Sequence, residues 1–74
     1  MNIEIWGKLM CDFCDASIKL CEEKGVEYDY KIYEIDFTKE EILEEFVGAT
    51  TFPQIKIDGV PIGGYQELEE ILCR

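Results

Sequence analysis

The chain has 74 residues, with seven Lys or Arg, seventeen Asp or Glu, no His and four Cys, and a net charge of −10. That length fits one domain, spanning residues 1–74, and a domain this small buries only about 60% of the surface its unfolded chain exposes. The acidity disfavours nucleic acid and anionic membrane surfaces as partners, and the lack of His excludes a Ser-His-Asp hydrolase and every His-ligated metal site.

Met1-Asn2-Ile3-Glu4-Ile5-Trp6 alternates like a strand and lacks the basic start and apolar run of a secretory leader. No apolar stretch approaches the roughly 18 residues of a membrane span. The expected compartment is the cytoplasm, where thiols stay reduced, so the four Cys are expected to do chemistry or to pack rather than to staple the fold.

Ile3, Ile5 and Trp6 make a first short strand. Gly7-Lys8-Leu9-Met10 leads into Cys11, and a helical pattern follows in which Cys14, Ile18 and Cys21 share one face with Ala16 and Leu20 beside it. Lys24-Gly25 stops this helix, with a cation in the last turn and then a residue that tolerates the left-handed cap. Residues 28–35 alternate and are rich in aromatic and β-branched types, which predicts a second strand. Thr38-Lys39-Glu40-Glu41 is a capping box opening a helix to about Val47, closed by Gly48. Gln54-Ile55-Lys56-Ile57 is a third strand, Asp58-Gly59 a hairpin signal, and Val60-Pro61-Ile62 the returning strand. Pro61 cannot donate to a ladder, which puts that strand at an edge or turns the proline to its unpaired side. After Gly63-Gly64 a last helix runs from Tyr65 to about Cys73, with Leu68, Ile71 and Leu72 inward. A right-handed crossover makes the first two strands parallel, and the hairpin adds two antiparallel ones. The predicted fold is therefore α/β, a mixed four-stranded sheet in the order β-α-β-α-β-β-α with helices on both faces, which is the thioredoxin-like arrangement.

Cys11-Asp12-Phe13-Cys14 lies at the junction of the first strand and the first helix. There the unpaired N–H groups and the helix dipole favour a thiolate on Cys11. Cys14 stands one turn deeper, within reach of Cys11, so one thiol attacks a disulfide and the other resolves the mixed disulfide. Lowering a thiol pKa from ~8.5 to ~5 raises the thiolate fraction at neutral pH about 30-fold, and a Brønsted slope near 0.45 takes back about 40-fold in nucleophilicity. The gain from a stabilised Cys11 thiolate is thus as a leaving group. A lone C-x-x-C is also half a zinc site, but Cys21 stands about 10 Å beyond Cys14 along one helix, too far for tetrahedral ligation by all four thiols. Cys21 is expected to be a small core residue and Cys73 a tail residue.

With these pieces in place, the chain resembles the glutaredoxin family over essentially its whole length. The resemblance rests on Lys8 three residues before Cys11, the Cys11–Cys14 pair, Thr51-Phe52-Pro53, and Gly63-Gly64 after a hairpin. Its shortness is similar to that of minimal bacterial and phage members. The resemblance implies a glutathione-dependent thiol–disulfide oxidoreductase that reduces protein disulfides and glutathione mixed disulfides. It also implies a monomer, with ribonucleotide reductase among its partners. Cys11 is then the nucleophile and Cys14 the resolving thiol. Pro53 would be cis and lie beside Cys11, the Phe52 backbone would pair with the cysteine moiety of glutathione, and Thr51 and Phe13 would also belong to the glutathione site. Lys8 would hold the glycine carboxylate, and Gly64, Tyr65 and Gln66 the γ-glutamyl end. Taken singly, Lys8 reads as a solvated lysine, Phe13 as an ordinary aromatic and Gly63-Gly64 as a turn.

Three positions depart from the family pattern. Asp12 opposes a neighbouring thiolate, Gln66 replaces an Asp that receives an ammonium group, and Ala49 replaces an Arg found in some members. Together they predict weaker glutathione affinity. Two other readings come from the same resemblance: a 2Fe–2S cluster held through Cys11 and glutathione between two copies, and a redoxin reduced by thioredoxin reductase. The acidic runs at Glu40, Glu41, Glu44 and Glu45 and at Glu67, Glu69 and Glu70 read as solvated helix faces.

Overall fold

Strand side chains alternate between faces, so β1 (Ile3–Gly7) offers Ile3 and Ile5 to one side of the sheet and Glu4 and Trp6 to the other. The computed structural model describes residues 1–74 and places β1 inside the sheet. It is followed by α1 (Asp12–Lys24), β2 (Tyr28–Ile32), α2 (Lys39–Glu45), β3 (Gln54–Ile57), β4 (Val60–Gly63) and α3 (Tyr65–Leu72). The strand order is β2-β1-β3-β4. β1 runs parallel to β2, with Ile3 opposite Tyr28, and antiparallel to β3, with Ile3 opposite Ile57. β4 pairs antiparallel with β3 and forms the edge, where Pro61 is tolerated. This is the predicted thioredoxin-like sheet.

Local signals set the element ends. Gly25 closes α1 in the left-handed region at φ 67°, and its N–H bonds to the Cys21 and Glu22 carbonyls. The Thr38–Glu41 capping box forms in full at the start of α2. Asp58 and Gly59 both take positive φ, 52° and 82°, as a two-residue hairpin requires. Asp58 also accepts from the Asn2 N–H and donates its own N–H to the Asn2 carbonyl, both at 2.8 Å, tying the hairpin to the head of β1.

Two cores result, one on each face. On the first, Ile3, Ile5 and Ile55 pack against Leu20 and Cys21 of α1 and Leu68 of α3. On the second, Trp6 packs against Phe37, Ile42 and Phe46, with ring centroids 4.8 Å from Phe37 and 5.5 Å from Phe46. With seven residues α2 is short, and lysines help finish that face. Lys31 lies 4.6 Å above the Trp6 ring and 3.1 Å from Glu4, and Lys56 lies 5.6 Å from the Phe46 ring and 2.7 Å from Glu45. Their stems cover apolar rings while their ammonium groups find carboxylates.

Four boundary or facing expectations need correction. β2 stops at Ile32 rather than 35, because the Asp36 carboxylate takes the Ile32 N–H and the Ile35 and Asp36 N–H groups turn back to the Ile32 carbonyl. α2 ends at Glu45 rather than near Val47: Phe46 leaves the helix to bury its ring on Trp6, and Val47 is exposed. In α1, Ser17 is fully buried while Ile18 and Ala16 are only partly covered, since the Ser17 hydroxyl satisfies itself on the Phe13 carbonyl at 2.8 Å. In α3, Leu68 and Leu72 pack on the core, whereas Ile71 stays outside that cluster and only partly buried. No helix is long and apolar enough to cross a membrane.

The Lys56 hydrogen bond, and then its charge, holds the Glu45 carboxyl below its ordinary value of 4.5. A carboxyl lowered on folding contributes stability above its unfolded value and loses it as pH falls through the folded one. Glu45→Gln should therefore lower the melting temperature at neutral pH and leave it unchanged in acid below the glutamate range. Melting curves of both proteins across pH check this.

Candidate active site

β1 ends at Gly7, and Lys8-Leu9-Met10 carries the chain off the sheet to Cys11. Met10 is fully exposed and sits at φ 55°, and Leu9 is also exposed. Cys11 is the N-cap of α1: its backbone is extended, and its Sγ accepts the Cys14 N–H at 3.2 Å. The sulfur thus fills the place usually taken by a Ser or Asp oxygen. A thiolate there gains from the N–H and from the positive end of the helix, while Asp12 and Asp15 in the first turn oppose it.

Cys11 and Cys14 are joined in a disulfide, with Cα atoms 5.2 Å apart, inside the range that such a bond spans. Cys14 is wholly buried and Cys11 is 8% exposed, so an incoming thiolate meets Cys11 first. Behind the pair, Gly7 leaves room that no side chain could use. A Cβ there would stand 2.8 Å from Cys14 Sγ and 2.8 Å from Tyr30 Cε1.

A groove of about 310 Å³, near the small end of ligand pockets, reaches the motif through Phe13, with neither cysteine in its lining. Phe13, Thr51, Phe52, Pro53, Gly64, Tyr65 and Gln66 line it, so seven of the eight non-cysteine positions singled out in the sequence converge. The Phe52–Pro53 peptide is cis and Pro53 is buried, while Phe13 stacks 5.8 Å from Tyr65 to bridge α1 and α3. At the start of α3 the Tyr65 and Gln66 N–H groups find no partner in the chain, which leaves donors for an anion. Lys8 is the exception among the eight. It stands outside the lining, with Nζ 5.8 Å from the Phe52 ring.

Glu67 also lines the groove and is partly buried, a correction to its reading as part of a solvated helix face. Its carboxylate accepts the Gly64 N–H at 2.9 Å, the return half of a capping box whose other half a glycine cannot supply. The spacing Gly64-Tyr65-Gln66-Glu67, a carboxylate three residues past a helix start, was the available signal. On the far side of Thr51 and Phe52 lies a second hollow, lined in part by Tyr33, Lys39 and Ala49. Cys21 is away from all of this in the first core, and burial, then Glu22, pushes its thiol above the usual range. Cys73 is exposed at the end of α3.

The glutaredoxin family model matches residues 3–62. Escherichia coli (strain K12) glutaredoxin 3 is 36% identical over 73 residues, covering 99% of this chain and 88% of that protein. Among solved structures, Francisella tularensis glutaredoxin 1 in complex with cacodylate superposes with a TM-score of 0.76 at 27% identity, covering 99% of this chain and 98% of that one. A buckwheat glutaredoxin–glutathione complex gives a TM-score of 0.74 at 26% identity, covering 92% of this chain and 64% of that one.

The crowding at Gly7 has a direct consequence. Gly7→Ala should force the Tyr30 ring and the Cys14 sulfur apart and destabilise the oxidised protein by about 1–3 kcal/mol, the usual penalty for overpacking. Urea unfolding of the two oxidised proteins measures it.

Proposed function

Because this chain belongs to the glutaredoxin family and is a thiol–disulfide oxidoreductase with a bonded Cys11–Cys14 pair, we propose that glutathione is its reductant. The observation that carries this reading is the groove lined by Phe13, Phe52, Pro53 and the start of α3, where the Tyr65 and Gln66 N–H groups are free, with the Lys8 ammonium outside it, 5.8 Å from the Phe52 ring. Glutathione has a carboxylate at each end and a thiol between them, and the free N–H groups of α3 and the Lys8 ammonium are two separate partners for those carboxylates.

In the reduced protein the Cys11 thiolate attacks one sulfur of a substrate disulfide. A Cys11 mixed disulfide forms, and the departing thiolate takes a proton. Cys14, after losing its proton, attacks the Cys11 sulfur. The Cys11–Cys14 bond closes and the second substrate thiol leaves. One glutathione thiolate then opens that bond at the accessible Cys11 sulfur, and Cys14 leaves and is protonated. A second glutathione attacks the sulfur of the bound one, releasing oxidised glutathione and the Cys11 thiolate. Two electrons pass from two glutathione molecules to one disulfide. The thiolate that leaves in the last step is the one the Cys14 N–H stabilises.

Glutathione mixed disulfides are substrates of the same site, and protein disulfides such as that of ribonucleotide reductase follow from the family resemblance. We further take the protein to act as a single-domain monomer over residues 1–74, in the reducing setting of the cytoplasm. Glu67 adds negative charge to the groove, and Gln66 offers only a neutral amide there, which supports an affinity for glutathione below that of relatives carrying Asp at that position. A 2Fe–2S cluster shared by two copies would need Cys11 as a free thiolate facing outward. Here it is bonded to Cys14 and 8% exposed, so these residues do not fit the group in this redox state.

A coupled assay with glutathione, glutathione reductase and a small glutathione mixed disulfide tests the proposal. Wild type should turn over and Cys11→Ser should not. Cys14→Ser should keep that activity and lose reduction of protein disulfides. Loss of both activities in Cys14→Ser would overturn the assignment of roles.

A further inference from the structure

The stretch from Lys8 to Met10 joins β1 to the nucleophile, yet its backbone makes no hydrogen bond to any other backbone group. Leu9 and Met10 are exposed, so packing of these two side chains does not hold the stretch either. Its one hydrogen bond comes from across the sheet: Tyr30 Oη donates to the Lys8 carbonyl at 3.1 Å. Tyr30 stands on β2 opposite Ile5, and its ring packs against the core that α1 and α3 cover. Beside Gly7, the ring and the Cys14 sulfur each stand 2.8 Å from where a Gly7 Cβ would be, with the Tyr30 hydroxyl at 3.1 Å from that point. The phenol is therefore held by its own strand and by the core, and it holds the loop in turn.

We propose that Tyr30 is a positioning residue for the exchange reaction: its hydroxyl fixes the Lys8 carbonyl, and so aims the Lys8 ammonium across Phe52 toward the anion bound at Cys11. The proposal rests on the reading that Lys8 anchors a carboxylate of glutathione. A loop without other tethers samples many backbone directions, and a four-carbon lysine stem amplifies each of them at its ammonium. One hydrogen bond from a fixed phenol removes much of that spread before the substrate arrives. Burial, and then the Asp15 charge, raises the Tyr30 hydroxyl above its ordinary value of 10.0, so it remains a donor at the pH of the reaction.

Tyr30→Phe removes the hydroxyl and keeps the ring. In the coupled assay it should raise KM for a glutathione mixed disulfide about 3- to 10-fold, the scale of one lost hydrogen bond, with little change in kcat. In a Lys8→Met background the same substitution should add less than about two-fold, because the two act through one contact. A second readout needs no glutathione. The ratio of iodoacetate to iodoacetamide alkylation rates at Cys11 reports an ammonium aimed at the site, and it should fall in Tyr30→Phe as it does in Lys8→Met. An unchanged ratio in Tyr30→Phe overturns the positioning role, as does an equal KM effect with and without Lys8. A ratio that falls while wild type shows no turnover with glutathione would uphold the role of Tyr30 and overturn glutathione as the reductant.

Discussion

The Cys14 N–H points at the Cys11 sulfur, and most of the architecture serves that contact. A helix start leaves N–H groups that something must satisfy, and here the atom that satisfies one of them is also the nucleophile. For the contact to form, β1 must end at Gly7, the chain must leave the sheet through three residues, and α1 must begin at Asp12. α1 holds its direction because Leu20 and Cys21, two turns on, are locked against Ile3, Ile5 and Ile55. Burial of Cys14 in the same turn gives the pair its asymmetry, one sulfur for the substrate and one for resolution.

Scarce positive charge is used in a consistent way. The chain has seven Lys or Arg against seventeen acids, and three of the lysines lie over aromatic rings: Lys31 on Trp6, Lys56 on Phe46 and Lys8 on Phe52. Lys31 and Lys56 also meet Glu4 and Glu45, so their charges are spent within the fold and complete a face that a seven-residue helix leaves open. Lys8 has no carboxylate partner in the chain, which leaves its ammonium for a ligand. The groove itself contains no cation and one carboxylate, Glu67. Anion recognition there falls to backbone N–H groups at the start of α3, which work whatever the net charge of the surface.

Much of this was legible in the residues, and the division follows the range of the interaction. The Lys24-Gly25 stop, the Thr38–Glu41 box and the Asp58-Gly59 hairpin each involve groups within a few positions of one another, and each formed as expected. The Cys11–Cys14 pair was readable for the same reason, whereas Thr51-Phe52-Pro53 and the two glycines before α3 gained meaning only through the family resemblance. Two element ends were misread, one through a nearby side chain and one through a distant ring. The alternation of residues 28–35 promised a longer strand, but Asp36 captured the Ile32 N–H and turned the chain. The apolar Val47 looked helical, but Phe46 had a better place against Trp6.

The sequence by itself therefore determined the order and kind of elements and the redox pair, while the residues that converge on the groove were named through the family resemblance. Its signals are periodicity, caps and turn chemistry, all carried by local backbone preferences. Only the tertiary structure decided that Ser17 is on the buried face of α1, that Glu67 faces the groove, and that Lys8 stands apart from it over Phe52. It alone set the Tyr30 hydroxyl, twenty-two positions along the chain, on the Lys8 carbonyl. Such contacts depend on strand register and on how helices lie across a sheet, and these arise when distant apolar side chains are buried together.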